Sequence, residues 1–229
     1  MKRLDLKTYF YFFFCVLLLS CNNSTNSNFS TEEVLPDNRQ EQEVFVHDLV
    51  KSGWIETDDS INYVSKNAIE KNLIGYFHKY SNAIINNDIE FIYQCSYLNG
   101  FRYLFEQTAE IGEDFETTMK MVLEERNKIY SELRQEARNA SCSMSFIISD
   151  IKRHIADKNR EICVFEVVIQ MAYQTKNGNF KYLHTIPKQN MGVSFDNGKK
   201  WQFIAFDHNT PNVLRKEFND EMINKVMNY

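Results

Sequence analysis

The chain has 229 residues, of which 43% are hydrophobic and 14% aromatic, and it carries 26 basic and 31 acidic side chains. This composition excludes an intrinsically disordered chain, and the low counts of 7 Gly and 3 Pro exclude collagen-like and low-complexity architectures. The net charge of −5 disfavours nucleic-acid binding, which usually requires a basic excess. The length leaves room for one globular domain with short additional segments.

The first 20 residues have the pattern of an export signal. Lys2, Arg3 and Lys7 precede an uncharged apolar run of eleven residues over 9–19. As a helix this run would span about 16 Å, roughly half the hydrocarbon thickness of a bilayer, which is too short for a stable transmembrane segment. A short apolar run after a basic start is typical of a secretory signal peptide.

The signal ends in Leu18-Leu19-Ser20-Cys21, which resembles the lipobox of bacterial lipoproteins. The resemblance implies that the Cys21 thiol receives a diacylglyceryl group, that residues 1–20 are removed, and that the new amine is acylated. Several acyl chains together give stable membrane anchoring. In the Gram-negative scheme an Asp after the lipidated Cys favours retention in the inner membrane. Because Asn22 stands there, we expect an outer-membrane anchor that faces the periplasm.

Residues 22–43 are mostly polar and cannot bury enough apolar area to offset the entropy of ordering them. We therefore predict a flexible tether over 21–43 and a single domain over 44–229, which would begin with a short helix and turn within 44–63. Removal of the signal takes away three basic residues and one acidic residue, so the net charge would fall from −5 to −7.

Helical periodicity dominates the first half of this domain. The spacing of apolar residues predicts an amphipathic helix over 65–86, whose inward face would consist of Ile69, Leu73, Phe77, Tyr80 and Ile84. Asp88 is placed to cap a short second helix that ends at Tyr93, and Asn99-Gly100 is a turn signal. A longer helix is predicted over 115–137, with an apolar stripe made of Phe115, Met119, Val122, Ile129 and Leu133.

Strands are predicted in the second half, because the period of the apolar residues changes from about 3.6 to 2. The four predicted strands cover 141–148, 162–174, 180–195 and 200–207. The third is interrupted near Pro187, and turn signals at Asn177-Gly178 and Asp196-Asn197-Gly198 precede the third and fourth strands. Thr210-Pro211 is a helix start and opens a closing C-terminal helix.

This order of elements indicates an α+β domain, with N-terminal helices packed on a curved antiparallel sheet of about four strands and a closing C-terminal helix. Together with the stretches 83–88 and 194–204, the order resembles the nuclear-transport-factor-2-like superfamily of cystatin-like α+β rolls over about residues 64–208. The resemblance implies a pocket between the concave face of the sheet and the helices. Enzymatic members of that family use Asp, His or Tyr there for proton transfer, whereas many others only bind.

Glu166 is the residue that allows an acid–base enzyme, since it lies on the mixed face of the strand predicted over 162–174. A desolvated Glu at this position would have a raised pKa and would serve as a general base. His184, or Asp207 and His208 at the end of the last strand, would be its partner. The alternative is that Glu166 is solvated on a convex face, because the opposite face is wholly apolar and would meet the helices.

No metal or cofactor site is predicted, because the five His are at least 24 residues apart and the sequence has no HExxH or CxxC pattern. Cys15 leaves with the signal, so the domain keeps the three thiols of Cys95, Cys142 and Cys163. An odd number requires at least one free or intermolecularly paired thiol, and we expect buried thiols on the strands.

We therefore expect a cell-envelope lipoprotein, held in the membrane through Cys21, whose domain binds a protein partner or a small apolar ligand without catalysis. The alternative is an acid–base enzyme of the dehydratase or isomerase kind with a Glu/His pair in its pocket. Glu166 within hydrogen-bond distance of His184 or His208 would favour the enzyme. An aliphatic and aromatic pocket would favour ligand binding, and a filled core would favour protein interaction.

Overall fold

The computed structural model of the protein describes residues 39–108 and 114–227. The predicted signal peptide, Cys21 and the tether up to residue 38 lie outside these ranges. The described helices are α1 (Arg39–Lys51), α2 (Ala68–Asn86), α3 (Ile89–Cys95), α4 (Leu98–Thr108), α5 (Phe115–Asn139), α6 (Thr210–Leu214) and α7 (Asp220–Met227). The strands are β1 (Ile55–Thr57), β2 (Ser143–Asp157), β3 (Arg160–Gln174), β4 (Phe180–His184), β5 (Lys188–Ser194) and β6 (Gln202–Ala205).

Helix α1 begins at Arg39, although the tether was expected to continue to residue 43. Leu49 is buried in a cluster with side chains of α5, β3 and β4, and Phe45 and Val46 pack against the same cluster. Tertiary packing of an apolar face stabilises helices that are too short or polar to form alone. This packing corrects the tether boundary, because residues 39–43 are the first turn of a helix that docks on the domain.

The helices predicted from periodicity are confirmed in α2, α3 and α5. Each begins at a side chain that accepts a hydrogen bond from a backbone N–H of the first turn, at 2.8, 3.1 and 2.9 Å for Asn67, Asp88 and Asp114. The turn predicted at Asn99-Gly100 is wrong, because both residues lie inside α4. A Cβ on Gly100 would lie 2.5 Å from Val213 of α6, so close packing accounts for this glycine.

The sheet is antiparallel and is built around β3. One edge of β3 pairs with β2, and the other edge pairs with β5 over Glu161–Val167 and with β4 over Gln170–Gln174. β6 continues the sheet beyond β5, and β1 continues it beyond β4. The α+β class is confirmed, with six strands instead of about four. The interrupted third strand forms both β4 and β5, and the N-terminal segment contributes β1.

β2 is much longer than the strand predicted over 141–148, since it continues to Asp157. Its register with β3 shifts between Ile148 and Asp150, and again between Ile151 and Arg153. Such bulges interrupt the alternation of inward and outward side chains, and they increase the local twist of an edge strand. The alternation in the sequence therefore ends where the strand is bulged, not where the strand ends.

Helices cover both faces of the sheet near β5 and β6. On one face, the ring of Phe77 from α2 contacts Phe165 edge to face, with the ring centroids 5.5 Å apart. On the other face, α4 packs closely on Ile204, because a Cβ added to Gly100 would lie 3.0 Å from the Ile204 side chain. Ile204 is paired with Met191, and Met191 is paired with the buried Val164, so these three side chains lie on the same face of the sheet. The expectation that the apolar face bearing Phe165 meets the helices is confirmed, and part of the mixed face is buried as well.

The C-terminal region forms two short helices, α6 and α7, instead of one. The expected inward side chains are buried, and they are Leu214, Phe218, Met222 and Val226. Within residues 39–108 and 114–227, no helix has the length and apolar character needed to cross a membrane.

Candidate functional site

Glu166 forms an ion pair on the mixed face of β3. Its Oε2 lies 3.1 Å from Nζ of Lys152, and the same Nζ lies 2.9 Å from Oδ2 of Asp150. All three side chains are partly exposed to solvent. Glu166 is therefore held by a neighbouring cation, as expected for a structural carboxylate at the edge of solvent.

The structure does not bring Glu166 together with the two candidate histidines. His184 is paired with Gln170, four residues from Glu166, which corresponds to about 13 Å along the strand. Nδ1 of His184 lies 3.4 Å from the carbonyl oxygen of Thr185, and His208 is exposed, with Nε2 3.2 Å from Nδ2 of Asn209.

Asp207, the other candidate partner, belongs to the turn before α6. Burial raises its pKa, and its Oδ1 accepts a hydrogen bond from the backbone N–H of Asn209 at 2.8 Å. The hydroxyl of Thr210 accepts a bond from the Asp207 N–H at 2.9 Å. These contacts fix the start of α6, and they leave Asp207 without a hydrogen bond to Glu166.

A different Glu and His do meet. Nε2 of His154 lies 2.6 Å from Oε2 of Glu161, across the hairpin that joins β2 and β3. Cys163 is paired with His154 in the register and is fully buried. Burial raises the pKa of the Cys163 thiol, and the carboxylates of Glu161 and Glu70 raise it further. A thiol in this environment stays protonated, so the group is not a Cys nucleophile with an activating base.

The remaining cysteines are also buried free thiols. Burial raises the pKa of Cys95 to about 11 and that of Cys142 to about 12. Among the described positions, no group of three or more His, Cys, Asp or Glu side chains could hold a metal ion.

The most unusual site in the described domain lies between α2 and α5, where four polar residues are buried. We call it the donor cluster, and its members are Tyr80, Arg126, Asn127 and Tyr130. Their exposed fractions are 8%, 8%, 0% and 2%, respectively. Arg and Asn are rare on a helix face that packs against a core, because the burial of polar groups is costly unless they are hydrogen-bonded.

Hydrogen bonds within the donor cluster are few and long. NH1 of Arg126 donates to the hydroxyl of Tyr80 at 3.3 Å, and Nε and NH2 of Arg126 lie 3.4 and 3.5 Å from Oδ1 of Asn127. Nδ2 of Asn127 is buried and has no partner among the described residues.

Aromatic and aliphatic side chains surround the donor cluster. The ring centroid of Tyr80 lies 5.0 Å from that of Phe203, and the centroid of Tyr130 lies 5.0 Å from that of Phe146. Burial raises the pKa of Tyr130 to about 12, and the nearby charge of Arg126 opposes this shift. The Tyr130 hydroxyl therefore keeps its proton at neutral pH and can act as a donor.

The side chains of the donor cluster are hydrogen-bond donors and are not suited to proton abstraction. A general base needs a group whose pKa lies near the working pH. A guanidinium and an amide offer no proton acceptor at neutral pH, and the raised pKa of Tyr130 keeps its hydroxyl protonated there. These side chains can hold an acceptor atom of a ligand, and they cannot take a proton from it.

The sequence prediction missed the donor cluster because it assigned α5 the wrong inward stripe. Val122, Ile129 and Leu133 are only partly buried, as is Phe115 at the start of the helix. Met119 of the predicted stripe is buried as expected, and the rest of the buried line of α5 consists of Leu123, Arg126, Asn127, Tyr130 and Ala137. The signal that could have revealed it is Leu123 with Tyr130 and Ala137, which repeat every seven residues on one face.

Comparison of the chain with protein-family models, with curated proteins and with solved structures finds no match.

Proposed function

We propose that the protein is a lipid-anchored protein of the cell envelope whose α+β domain binds a small, largely apolar ligand without catalysis. The observation that carries the proposal is the buried Nδ2 of Asn127, which has no acceptor among the described residues. A buried donor without an acceptor costs about 1–3 kcal/mol, and native structures contain few of them. A ligand that brings an acceptor into the domain removes this cost.

The surroundings of the donor cluster support a ligand with an apolar body. Phe146 and Phe203 are in ring contact with Tyr130 and Tyr80. The position between helices and sheet is also where the nuclear-transport-factor-2-like rolls, which the sequence resembles, have their pocket. Small-molecule sites are commonly lined by apolar and aromatic side chains with a few polar groups that orient the ligand.

The alternative acid–base enzyme has less support. Glu166 is paired with Lys152, and neither His184 nor His208 hydrogen-bonds to it. The side chains of the donor cluster offer no proton acceptor with a pKa near neutrality.

A protein partner is the second candidate function, and exposed apolar side chains near β1 and β4 favour it. Phe180 and Ile186 are 60% and 61% exposed, and Ile55 on the edge strand β1 is 46% exposed. Ile55 is paired with His184, two residues before Ile186, and exposed apolar side chains on a sheet edge can serve as an interaction surface. A photo-crosslinking residue at position 180 should capture a partner in intact cells, and one at the exposed position 121 should not. Equal capture at both positions would contradict this function.

The anchor is tested by the variant Cys21→Ser. We expect the lipidated chain in the membrane fraction and the variant in the soluble periplasmic fraction. A matched Cys15→Ser variant, which alters only the signal, should fractionate as the original chain does. Membrane fractionation that is unchanged in Cys21→Ser would refute the lipid anchor.

Ligand binding is tested by titrating the full chain that carries Cys21→Ser with two neutral probes, decanol and 3-phenylpropanol. We expect saturable one-to-one binding, with the largest NMR shifts at the backbone amides of α2 and α5 near the donor cluster. Absence of binding by both probes, or shifts confined to the surface near Phe180, would contradict an internal site.

A further inference from the structure

One face of the sheet is open to solvent at β1 and β4. The opposite face is covered, because Leu183 of β4 is buried in a cluster with Leu49 of α1 and Ala137 of α5. Side chains alternate along a strand, so the neighbours of Leu183 point to the open side. Ile55 of β1 is paired with His184 and shares that side. We call the apolar side chains on this side the open patch, and its members are Ile55, Phe180, Tyr182 and Ile186.

The open patch extends along the strand beyond β4. The backbone N–H of Thr185 donates to the carbonyl oxygen of Ile169 at 3.0 Å, so the pairing with β3 continues past His184 and places Ile186 on the open side. From Phe180 to Ile186 the strand spans about 20 Å. Three members of the open patch are exposed, and Tyr182 is partly buried. A row of exposed apolar side chains on one sheet face is typical of a surface that contacts a protein or a membrane.

The charged side chains around the open patch are paired with one another. Nζ of Lys176 lies 2.5 Å from Oε1 of Glu43. Nζ of Lys181 lies 3.6 Å from Oε1 of Glu56 and 3.8 Å from Oδ1 of Asp58. These two cations and three carboxylates give the rim no basic excess that would attract a polyanion. Attraction at the open patch therefore has to come from the burial of apolar area.

The chain that leads back to Cys21 leaves the domain close to the open patch. Glu43 of α1 is paired with Lys176 in the turn that connects β3 to β4, and Phe180 is the first residue of β4. Helix α1 begins at Arg39, about one helical turn before Glu43. Seventeen residues lie between Cys21 and Arg39, and they span at most about 60 Å. A lipid-bearing Cys21 would therefore keep this side of the domain within reach of the bilayer.

We propose that the open patch rests on the surface of the bilayer to which the chain is anchored, with its apolar side chains in the boundary between headgroups and acyl chains. This inference rests on the lipid anchor of the proposed function. Apolar side chains of surface-bound elements enter this boundary by about 5–10 Å, and Tyr is favoured at the headgroup level, where Tyr182 would lie. A protein interface usually needs about 20–30 residues from each partner, so four side chains suit the weak contact of a tethered domain better.

The test measures the contact of position 180 with lipid. The lipidated chain is reconstituted in phosphatidylcholine vesicles, with the fluorophore NBD attached to Phe180→Cys or to Met121→Cys. Met121 is the matched position, because it is also an exposed apolar residue and lies on α5 outside the open patch. The native thiols of the described domain are buried, so the reagent reaches the introduced Cys. Lipids with a doxyl quencher near the top of the acyl chain should reduce the fluorescence at position 180 at least about twofold more than at position 121.

A second pair of variants shows whether the open patch, and not the fluorophore, makes the contact. Ile186→Asp places a charge in the open patch, and burying that charge in lipid is costly. In the chain labelled at position 180 it should lower the quenching to the level seen at position 121. Met121→Asp is the matched control, because Met121 and Ile186 are 60% and 61% exposed. The control should leave the quenching at position 180 unchanged.

Four results would overturn the inference, and they differ in what else they exclude. Equal, weak quenching at positions 180 and 121 in a chain that stays on the vesicles would overturn it and leave the lipid anchor standing. Quenching at position 180 that survives Ile186→Asp would show that the fluorophore alone enters the lipid. Crosslinking of position 180 to a protein, a second copy of the chain included, without lipid quenching would assign the open patch to a protein contact. A chain that does not stay on the vesicles would contradict the lipid anchor and the inference together.

Discussion

The substitution Asn127→Leu removes the buried amide that lacks an acceptor. Leu has a branched side chain like that of Asn, and it is a better helix former at this position in the middle of α5. The substitution also removes Oδ1, which lies 3.4 and 3.5 Å from two nitrogens of Arg126. These contacts are at the long limit of a hydrogen bond, so their loss costs less than the loss of a short bond.

Four terms set the expected change in the free energy of unfolding. Relief of the unpaired buried donor contributes about 1–3 kcal/mol, and the higher helix propensity of Leu adds about 0.5 kcal/mol. Loss of the contacts with Arg126 costs about 0.5–1 kcal/mol, and the larger volume of Leu costs about 1 kcal/mol. For the ligand-free protein we expect a net gain of about 1 kcal/mol, which raises Tm by about 2–4 °C in a domain of this size.

The assay is urea denaturation of the ligand-free protein, followed by circular dichroism. Asn72→Leu is the matched control, because the Asn72 amide donates to the carbonyl oxygens of Gly198 and Lys199. We expect the control to lose about 1 kcal/mol of stability. If Asn127→Leu loses as much as Asn72→Leu, the Asn127 amide has a partner such as an internal water, and the reasoning from an unpaired donor fails.

Four further predictions concern other parts of the fold. Gly75→Ala in α2 should raise the free energy of unfolding by about 0.5–1 kcal/mol, because a Cβ there meets open space. Gly100→Ala in α4 should lower the free energy of unfolding by about 1–3 kcal/mol, because the Cβ would lie 2.5 Å from a Val213 methyl group. If urea titrations gave the same change for Gly75→Ala and Gly100→Ala, the packing of α4 on α6 would be contradicted. At pH 8 we expect the thiol reagent DTNB to modify Cys95, Cys142 and Cys163 only after the protein is unfolded in guanidinium. The reason is that burial raises the pKa of all three thiols. Rapid reaction of any of these thiols in the native protein would show that the thiol is accessible. Glu166→Gln should cost at most about 1 kcal/mol, because the ion pair with Lys152 is partly solvated, and it should leave probe binding unchanged. A tenfold loss of probe affinity would instead place Glu166 in the binding site.

The class and the order of elements were predictable because periodicity is a local signal. The alternation over 162–174 corresponds to β3, and the Asn177-Gly178 turn signal lies between β3 and β4 as expected. The pairing of β3 with three strands was not predictable, because register depends on contacts between residues far apart in sequence. The two bulges of β2 also hid the second half of that strand.

The orientation of α5 about its own axis shows why the candidate site could not be predicted from the sequence. At about 100° per residue, the predicted stripe and the buried line differ by about 70° around the helix axis. The prediction chose the line with more aliphatic residues, through Val122, Ile129 and Leu133. The buried line contains Arg126 and Asn127 in its centre. A prediction that assigns the most apolar face of a helix to the core therefore does not select this line.

The polar residues on the buried line of α5 are informative, because a core does not need hydrogen-bond donors for its own stability. An apolar residue at position 127 would occupy a similar volume without leaving a buried nitrogen unpaired, and such replacements are often neutral or stabilising. A buried polar group such as the Asn127 amide nitrogen, which has no partner among the described residues, is expected more often at functional sites than elsewhere in a core. The free-energy cost of burying the Asn127 amide nitrogen is removed when an acceptor from outside the described residues binds to it. The stability of α5 is therefore coupled to the binding of a ligand. The ligand-free protein should therefore be the less stable form, and binding of a ligand with a suitably placed acceptor should raise Tm in proportion to the logarithm of the ligand concentration.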